Sequence, residues 1–164
     1  MKISKKIAVV TGISTMMLMG LMVPAGHADG RVISAFNAGV EQMLDSRGGS
    51  VAITYEADGS TPQKWALRDE NSSGYLLESK DQPGNCLKAP TALNEPIAIV
   101  KCNNFVPLQR WKTVIEGDRA LIARAGDTGE VIGANGASTE ENRQPVTLQA
   151  KTSSDDQRWY ITSS

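Results

Sequence analysis

The sequence repeats one short pattern, a glutamine, a basic residue and a tryptophan, three times along its length. The copies are Gln63-Lys64-Trp65, Gln109-Arg110-Trp111 and Gln157-Arg158-Trp159, and they contain all three tryptophans of the chain. The second tryptophan follows the first by 46 positions, and the third follows the second by 48. A near-constant period of this length is typical of folds built from repeated supersecondary units. We therefore expect Trp65, Trp111 and Trp159 at equivalent positions in one shared core.

Each repeat contains four short apolar segments separated by turn-forming residues. Clusters such as Ala57-Asp58-Gly59-Ser60 and Gln82-Pro83-Gly84-Asn85 are typical of turns between strands. No stretch after residue 28 keeps a helical apolar period, so the segments predict β-strands. Four strands in each of three pseudo-symmetric repeats, at about residues 31–67, 68–114 and 115–163, predict an all-β protein with the twelve short strands of a β-trefoil.

The N-terminus has the three-part layout of a secretory signal peptide. Lysines at positions 2, 5 and 6 precede an apolar stretch from 7 to 23, and small residues including Gly26 and Ala28 follow it. The alternative is an uncleaved membrane anchor, but a stretch of 17 residues is short for a bilayer span. We expect a signal peptide at residues 1–28 and one domain at residues 29–164, secreted or periplasmic, with no membrane span in the mature chain.

The charge balance of the mature chain argues against nucleic acid as a partner. The full chain has 17 basic and 18 acidic residues, and cleavage after Ala28 removes three basic and no acidic residues. The resulting net charge of −4 disfavours binding to a polyanion. The single histidine, His27, leaves with the signal peptide, so we expect no imidazole catalysis. We also expect no metal site and no cofactor. A glycosidase-like pair of acidic residues is the enzymatic alternative, but no such pair stands out.

The chain has two cysteines, Cys86 and Cys102, both in the second repeat. In an exported protein, two cysteines most simply form one disulfide bond. A zinc site is a poor alternative because no histidine and no further cysteine remain to complete it. In the chain-entropy model, closing a loop of this length stabilises a fold by ~3 kcal/mol.

Residues 31–163 resemble a ricin B-type lectin domain, and the second repeat carries the resemblance best. It contains Asn85-Cys86-Leu87-Lys88, then Ile97-Ala98-Ile99-Val100-Lys101-Cys102-Asn103-Asn104, and it closes with Gln109-Arg110-Trp111. In that family, a Cys-Leu-Asp motif and a later cysteine form a disulfide bond within one repeat, and each repeat closes with Gln-x-Trp. The resemblance implies a β-trefoil fold, export and sugar binding.

The sugar site of that family uses three residues of one repeat. The resemblance implies an aspartate that ends the middle motif, an aromatic ring two positions before the second cysteine, and an asparagine before the glutamine. These residues bond the sugar hydroxyls and cover the apolar face of the ring. The first repeat has Asp45 at the first position, Thr54 at the second, with Tyr55 one position away, and Pro62 at the third. The corresponding residues are Lys88, Val100 and Leu108 in the second repeat and Gly133, Gln149 and Asp156 in the third.

Only the first repeat keeps the carboxylate, so we expect glycans or glycoconjugates to bind there, and weakly. The candidate ligand residues are Asp45, Gln63 and Tyr55, which could stack on a sugar if a local bulge re-aims it. Each residue also has a structural alternative. Asp45 could bond the amides of the following turn, Tyr55 could be a half-exposed strand residue, and Gln63 could bond the backbone of its own repeat.

Two functions fit this sequence. The first is a secreted, non-catalytic carbohydrate-binding protein with degenerate sugar sites. The second is a protein-interaction or cell-surface-binding subunit of a secreted toxin complex, without ordinary sugar binding. The binding subunits of cytolethal distending toxins are similar in having degenerate sugar motifs on an exported trefoil. A co-secreted protein partner would distinguish the second function from the first.

Overall fold

The computed structural model describes residues 30–134, 143–152 and 154–164. The predicted signal peptide at residues 1–28 lies outside the described residues. Within them, no helical segment has the length and the apolar character that a membrane span requires.

Thirteen strands, β1 to β13 in chain order, form in the described part of the chain. The first repeat contains β1 (Val32–Asn37), β2 (Met43–Asp45), β3 (Ile53–Tyr55) and β4 (Trp65–Asn71). The second repeat contains β5 (Gly74–Ser79), β6 (Asn85–Lys88), β7 (Ala98–Lys101) and β8 (Trp111–Glu116). The third repeat contains β9 (Arg119–Arg124), β10 (Asp127–Gly133), β11 (Gln144–Pro145), β12 (Thr147–Ala150) and β13 (Trp159–Ser163). Before each tryptophan strand lies one 3-10 turn: Thr61–Gln63, Pro107–Gln109 and Asp155–Gln157.

Six of these strands close into a barrel. β1 pairs with β4 and β13, β5 pairs with β4 and β8, and β9 pairs with β8 and β13. Every one of the six therefore has a partner on both sides, and closure removes the exposed strand edges that favour aggregation. Each repeat supplies its first and last strand to the barrel, which accounts for the approximate threefold symmetry.

The other strands form three hairpins, β2–β3, β6–β7 and β10–β12, which contact one another in a ring. One backbone bridge between neighbouring hairpins recurs three times. In each case, the residue two positions before the second strand of one hairpin pairs with the first residue of the second strand of the next hairpin. The pairs are Val51 with Ala98, Pro96 with Thr147, and Pro145 with Ile53. The third bridge extends by one further residue pair, and the two paired residues there form strand β11. The predicted twelve-stranded β-trefoil is therefore confirmed, and the thirteenth strand extends a repeated contact.

The three tryptophans occupy equivalent places in the core, as the repeat pattern predicts. Trp65, Trp111 and Trp159 are fully buried, and each begins the last strand of its repeat. Each indole N–H donates to the backbone carbonyl of the central residue in the middle motif, so the polar atom of the ring is satisfied inside the core. The distances are 3.1 Å from Trp65 to Leu44, 3.2 Å from Trp111 to Leu87 and 3.0 Å from Trp159 to Ile132.

The second repeat has the predicted disulfide bond between Cys86 and Cys102, whose Cα atoms lie 4.9 Å apart. The bond ties β6 to the residue directly after β7. The backbone N–H of Cys102 also donates to the carbonyl of Gly84 at 2.8 Å, which continues the strand pairing of this hairpin. The covalent bond therefore reinforces a contact that the backbone makes by itself.

Candidate functional site

The glutamine of each Gln-x-Trp pattern holds the loop that precedes it. In the first repeat, the amide nitrogen of Gln63 donates to the carbonyl of Glu56 at 2.6 Å. The amide oxygen accepts from the backbone N–H groups of Asp58 and Gly59, both at 3.1 Å. Gln63 is buried, so these bonds satisfy its polar atoms where water is excluded. The Gln63 side chain thus fixes the loop between β3 and the 3-10 turn.

The other two glutamines make the same kind of bonds. This repetition confirms the structural alternative, in which the glutamine bonds the backbone of its own repeat. A direct contact between Gln63 and a ligand stays a prediction. The amide of Gln109 bonds the Lys101 carbonyl at 3.1 Å and the Asn103 N–H at 2.8 Å, and that of Gln157 bonds the Ala150 carbonyl at 2.8 Å and the Thr152 N–H at 2.7 Å.

The strand register makes Tyr55 the counterpart of Val100, the residue two positions before the second cysteine. Tyr55 lies opposite Met43 in the β2–β3 hairpin, just as Val100 lies opposite Cys86 in the disulfide-bonded hairpin. The prediction that gave this position to Thr54 is therefore wrong, and Thr54 is buried. No bulge is needed to re-aim Tyr55. The first repeat thus has an aromatic ring as well as a carboxylate at the family positions.

Asp45 ends β2, and its carboxylate is fully buried. Oδ1 accepts a hydrogen bond from the backbone N–H of Arg47 at 2.7 Å and another from Nε of Arg47 at 3.1 Å. Oδ2 lies 3.0 Å from the same Nε, but it has no hydrogen bond within the described residues. The bond to the turn amide confirms the structural alternative for Asp45. The second oxygen is a buried acceptor that makes an ion-pair contact but no hydrogen bond among the described residues.

The guanidinium of Arg47 bridges this carboxylate and the ring of Tyr55. Its Cζ lies 3.9 Å from the ring centroid, the distance of a stacked cation–π pair. Its Nη2 donates to Oδ2 of Asp58 at 2.7 Å and to Oγ of Ser60 at 2.6 Å. A second guanidinium, that of Arg143, lies 5.8 Å from the same centroid. Arg47 therefore contacts both Asp45 and Tyr55.

The hydrogen bonds around Arg47 shift the pKa values of Arg47 and Asp58 so that both groups stay ionised. The hydroxyl and the backbone N–H of Ser60, followed by Arg47, lower the pKa of Asp58 from 3.8 to about 2. Desolvation lowers the pKa of Arg47, but the bonds to Asp58 and Asp45 outweigh it and raise the pKa. Arg47 and Asp58 are therefore both ionised at neutral and mildly acidic pH, and their attraction persists throughout that range.

The third repeat fills the equivalent position with its own amide. Gly133 stands where the first repeat has its carboxylate, and a Cβ there would lie 2.3 Å from the amide of Gln149. Nε2 of Gln149 donates to the carbonyl of Ala134 at 3.2 Å and to Oγ1 of Thr147 at 3.1 Å. Its Oε1 accepts from Gln157 at 2.9 Å. These bonds hold the Gln149 amide beside Gly133.

The second repeat presents neither a carboxylate nor an aromatic ring at its three family positions. Lys88 and Val100 lie on the paired strands of the disulfide-bonded hairpin, and Leu108 packs against the core. Among the described residues, the family arrangement of a carboxylate and an aromatic ring is therefore found in the first repeat alone.

The sequence from residue 31 to residue 159 matches the model of the ricin-type β-trefoil lectin domain. The chain belongs to this family. No curated protein sequence matches the chain.

Solved structures of the same fold include a lectin, an agglutinin and a toxin. The Macrolepiota procera ricin B-like lectin, in complex with lactose, has a TM-score of 0.68 and 16% identity, over 82% of this chain and 96% of that one. The Rhizoctonia solani agglutinin has a TM-score of 0.67 and 19% identity, over 87% and 100%. A mosquitocidal holotoxin has a TM-score of 0.71 and 18% identity, over 82% of this chain and 17% of the toxin. At these identities the likeness shows the fold alone.

Arg47 is the site residue that sequence reasoning missed. Its signal was a basic residue two positions after the carboxylate, in a turn rich in glycine and serine. In chemical terms, the site offers a buried hydrogen-bond acceptor, an aromatic face and a guanidinium that already contacts both. Among the described residues, no three His, Cys, Asp or Glu side chains are grouped closely enough to hold a metal ion.

Proposed function

We propose that this protein is a secreted, non-catalytic carbohydrate-binding protein whose sugar site lies between Asp45 and Tyr55. The observation that carries the proposal is Oδ2 of Asp45, a buried oxygen with no hydrogen-bond donor among the described residues, beside a stacked aromatic ring. The charge of Arg47 lies 3.0 Å from this oxygen, but a buried acceptor without a hydrogen bond is still unfavourable, and a sugar hydroxyl would supply that bond. The lectin solved with lactose supports a neutral glycan as the ligand class.

Arg47 makes, from within the chain, the two kinds of contact that a sugar would make. Its Nε–H donates to the carboxylate as a hydroxyl would, and its planar face covers the ring of Tyr55 as the C–H groups of a pyranose would. A sugar must therefore displace the guanidinium before it can stack. Asp58 and Ser60 hold the far end of the side chain, so displacement costs these bonds and lowers the affinity.

The expected binding is weak and confined to one site. A dissociation constant near 1 mM corresponds to a binding free energy of about 4 kcal/mol. This low affinity is expected of a site that has two of the three family residues and an arginine that competes with the sugar. The second and third repeats lack both groups, so the chain gains no avidity from repeated sites. Gln63 contributes by holding the loop that contains Asp58. A direct bond from its amide to the sugar is not required.

A glycan array that compares the wild type with Asp45→Ala and Tyr55→Ala tests the proposal. We expect neutral glycans to bind the wild type and neither variant. Asp118→Ala is the matched control, because the Asp118 side chain is 79% exposed and lies in the third repeat. It should bind as the wild type does. Thermal melting shows whether each variant is folded, and glycan binding by folded Asp45→Ala would place the site elsewhere.

The proposal includes export through a signal peptide at residues 1–28. The basic start, the apolar stretch and the small residues that follow it support export. The Cys86–Cys102 bond also supports it, because disulfide bonds persist in oxidising compartments. The intact mass of protein recovered from the medium or the periplasm should fit a chain that begins at Asp29. A mass that retains residues 1–28 would contradict cleavage.

The alternative function is a binding subunit of a secreted toxin complex that has no ordinary sugar binding. Two observations favour it: Arg47 covers the Asp45–Tyr55 site, and a segment of a mosquitocidal holotoxin shares this fold. A silent glycan array, together with a co-encoded secreted enzyme that co-purifies at fixed stoichiometry, would favour this alternative. Asp45-dependent glycan binding would instead favour the lectin function.

A further inference from the structure

Phe105 exposes an aromatic ring to solvent at a fixed place. The residue is 88% exposed, and it lies in the loop between β7 and the Pro107–Gln109 turn. Its backbone N–H donates to Oδ1 of Asn103 at 3.0 Å. The backbone N–H of Asn103 donates in turn to the buried Gln109 amide at 2.8 Å. The loop is therefore tied to the core while the ring remains uncovered, without the favourable free energy of burial.

The ring of Phe105 lines a cleft of about 510 Å³. One wall is its own loop, with Asn104 and Pro107, and the opposite wall is the tip of the β4–β5 hairpin at residues 71–73. The turn at residues 125–126, between β9 and β10, adds a third side. The volume lies within the range of sites for small ligands. None of the three family positions of the second repeat lines this cleft, so it is separate from the family's sugar site.

One buried guanidinium holds both walls of the cleft. Arg110 is 8% exposed, and its Nη1 donates to the carbonyls of Asp69 at 2.7 Å and Gly74 at 3.3 Å in the β4–β5 hairpin. Its Nη2 donates to the carbonyl of Asn104 at 3.0 Å in the opposite loop and to the carboxylate of Asp69. The two walls are thus fixed relative to each other, and a fixed site loses less entropy when a ligand binds.

The lining of the cleft combines amides, hydroxyls and one cationic side chain that forms no ion pair within the described residues. Asn71 and Asn104 supply amides, and Ser72 and Ser73 supply hydroxyls. The charge of Arg110 is matched by Asp69, whereas Lys112 forms no ion pair within the described residues. The described lining contains no carboxylate. The cleft therefore favours a ligand that carries a negative charge.

We propose that this cleft binds an acidic saccharide, at a site separate from Asp45 and Tyr55. The ring of Phe105 covers the C–H face of one sugar, the amides and hydroxyls bond its hydroxyl groups, and Lys112 pairs with its carboxylate or sulfate. A neighbouring depression of about 240 Å³ shares Lys112 with the cleft and adds Arg31 and Glu70. The charges of Arg31 and Glu70 are opposite, so this depression adds no net charge and gives room for a second sugar residue.

The lining favours a saccharide over a protein surface. The other large exposed apolar side chains described, Leu93 and Ile115, do not line the cleft. The centre of a protein–protein interface usually combines several aromatic and aliphatic side chains in one buried patch. Here a single ring stands among polar groups, which is the composition that sugar hydroxyls and a sugar C–H face require.

An array of sialylated, uronate-containing and sulfated glycans, each beside its neutral counterpart, tests the proposal with the full mature chain. The wild type should bind at least one acidic glycan better than its neutral counterpart. Phe105→Ala should weaken that binding by about tenfold or more, and Lys112→Gln should reduce the preference for the acidic form by about tenfold. Both substitutions lie at the surface of the cleft, so the folded state should be kept.

Two control variants distinguish the cleft from the Asp45–Tyr55 site and from a general loss of exposed apolar surface. Ile115→Ala removes an exposed apolar side chain outside the cleft and should bind acidic glycans as the wild type does. Asp45→Ala should also keep this binding, so failure of the Asp45 site and failure of the cleft are distinguishable. Acidic binding that is unchanged in Phe105→Ala would overturn the proposal. An array in which no acidic glycan binds would also overturn the proposal. That outcome includes the case in which Phe105 is needed only to bind a protein partner.

Discussion

The guanidinium of Arg47 covers the ring of Tyr55, with 3.9 Å between its Cζ and the ring centroid. The same guanidinium bonds the buried carboxylate of Asp45. One side chain therefore contacts both residues of the proposed sugar site. In the proposed function, sugar binding is a competition between the ligand and a residue of the protein itself.

Arg47→Lys should raise the affinity for neutral glycans. Lysine keeps a positive charge near Asp45 but lacks the planar group that stacks on Tyr55, so the ring is easier to uncover. The expected gain is about two- to fivefold, which corresponds to the ~0.5–1 kcal/mol of an exposed cation–π pair. Isothermal titration with the best neutral glycan measures it.

Arg119→Lys is the matched control for that experiment. Arg119 lies 5.4 Å from the ring centroid of Tyr160 and pairs with Asp155, both in the third repeat. The affinity of this variant should equal that of the wild type. A lower affinity in Arg47→Lys would mean that Arg47 helps to bind the sugar rather than competing with it.

Acidification should remove a contribution of Asp58 to stability between about pH 4 and pH 2. The pKa of this carboxyl is about 2 in the folded protein, against a reference value of 3.8. Because the folded pKa is depressed, its contribution to the free energy of unfolding is fully present above pH 3.8 and is lost as the pH falls through about 2. Urea unfolding at pH 7, 4 and 2 should show Asp58→Asn less stable than the wild type at pH 7, with the difference shrinking towards pH 2. Equal stability of the two proteins at pH 7 would contradict a stabilising role for the bonds from Ser60 and Arg47 to this carboxylate, and Asp118→Asn controls for removal of an exposed carboxylate.

The threefold architecture could be predicted because it depends on residues that face the core. A buried indole needs a partner for its N–H, and the repeat supplies the same carbonyl three times, so Trp65, Trp111 and Trp159 recur with their local sequence. The disulfide bond could be predicted because a chain with two cysteines leaves one pairing.

The details of the candidate site could not be predicted in the same way. Tyr55 lies 8 positions before its glutamine, whereas Val100 lies 9 positions before Gln109 in the second repeat. An alignment of the repeats by sequence position therefore selects the residue before Tyr55. Only the strand register shows that Tyr55 is the counterpart of Val100. The conformation of Arg47 depends on Asp58 and Ser60, which approach it through the fold. No periodic pattern in the sequence encodes that approach.

Gln63→Leu and Gln109→Leu should destabilise the protein by similar amounts. Each substitution leaves backbone groups of a loop without their buried partner, at a cost of about 1–3 kcal/mol. Gln109 belongs to the second repeat, so it serves as the matched control for Gln63. Urea denaturation measures both. Loss of glycan binding in Gln63→Leu with unchanged stability would show instead that the amide contacts the sugar.

Replacement of both Cys86 and Cys102 by alanine should lower the free energy of unfolding by ~2–5 kcal/mol, as is typical for the loss of a native disulfide bond in a small secreted domain. Glycan binding at the first repeat should persist in the folded variant, because the bond lies in the second repeat. Denaturant unfolding and a glycan titration on the same sample measure the two effects. Binding that disappears while the fold is intact would tie the sugar site to the second repeat.

The most direct test of the sugar site is a titration of ¹⁵N-labelled protein with the best neutral glycan from the array, followed by NMR. We predict that the backbone amide signals of Arg47 and Tyr55 shift with increasing glycan, because the guanidinium leaves the ring as the sugar stacks on it. The signals of Lys88 and Gly133, at the equivalent positions of the other repeats, should stay in place. Shifts confined to Lys88 or Gly133, or a bound glycan that leaves Arg47 and Tyr55 unchanged, would contradict a sugar site in the first repeat.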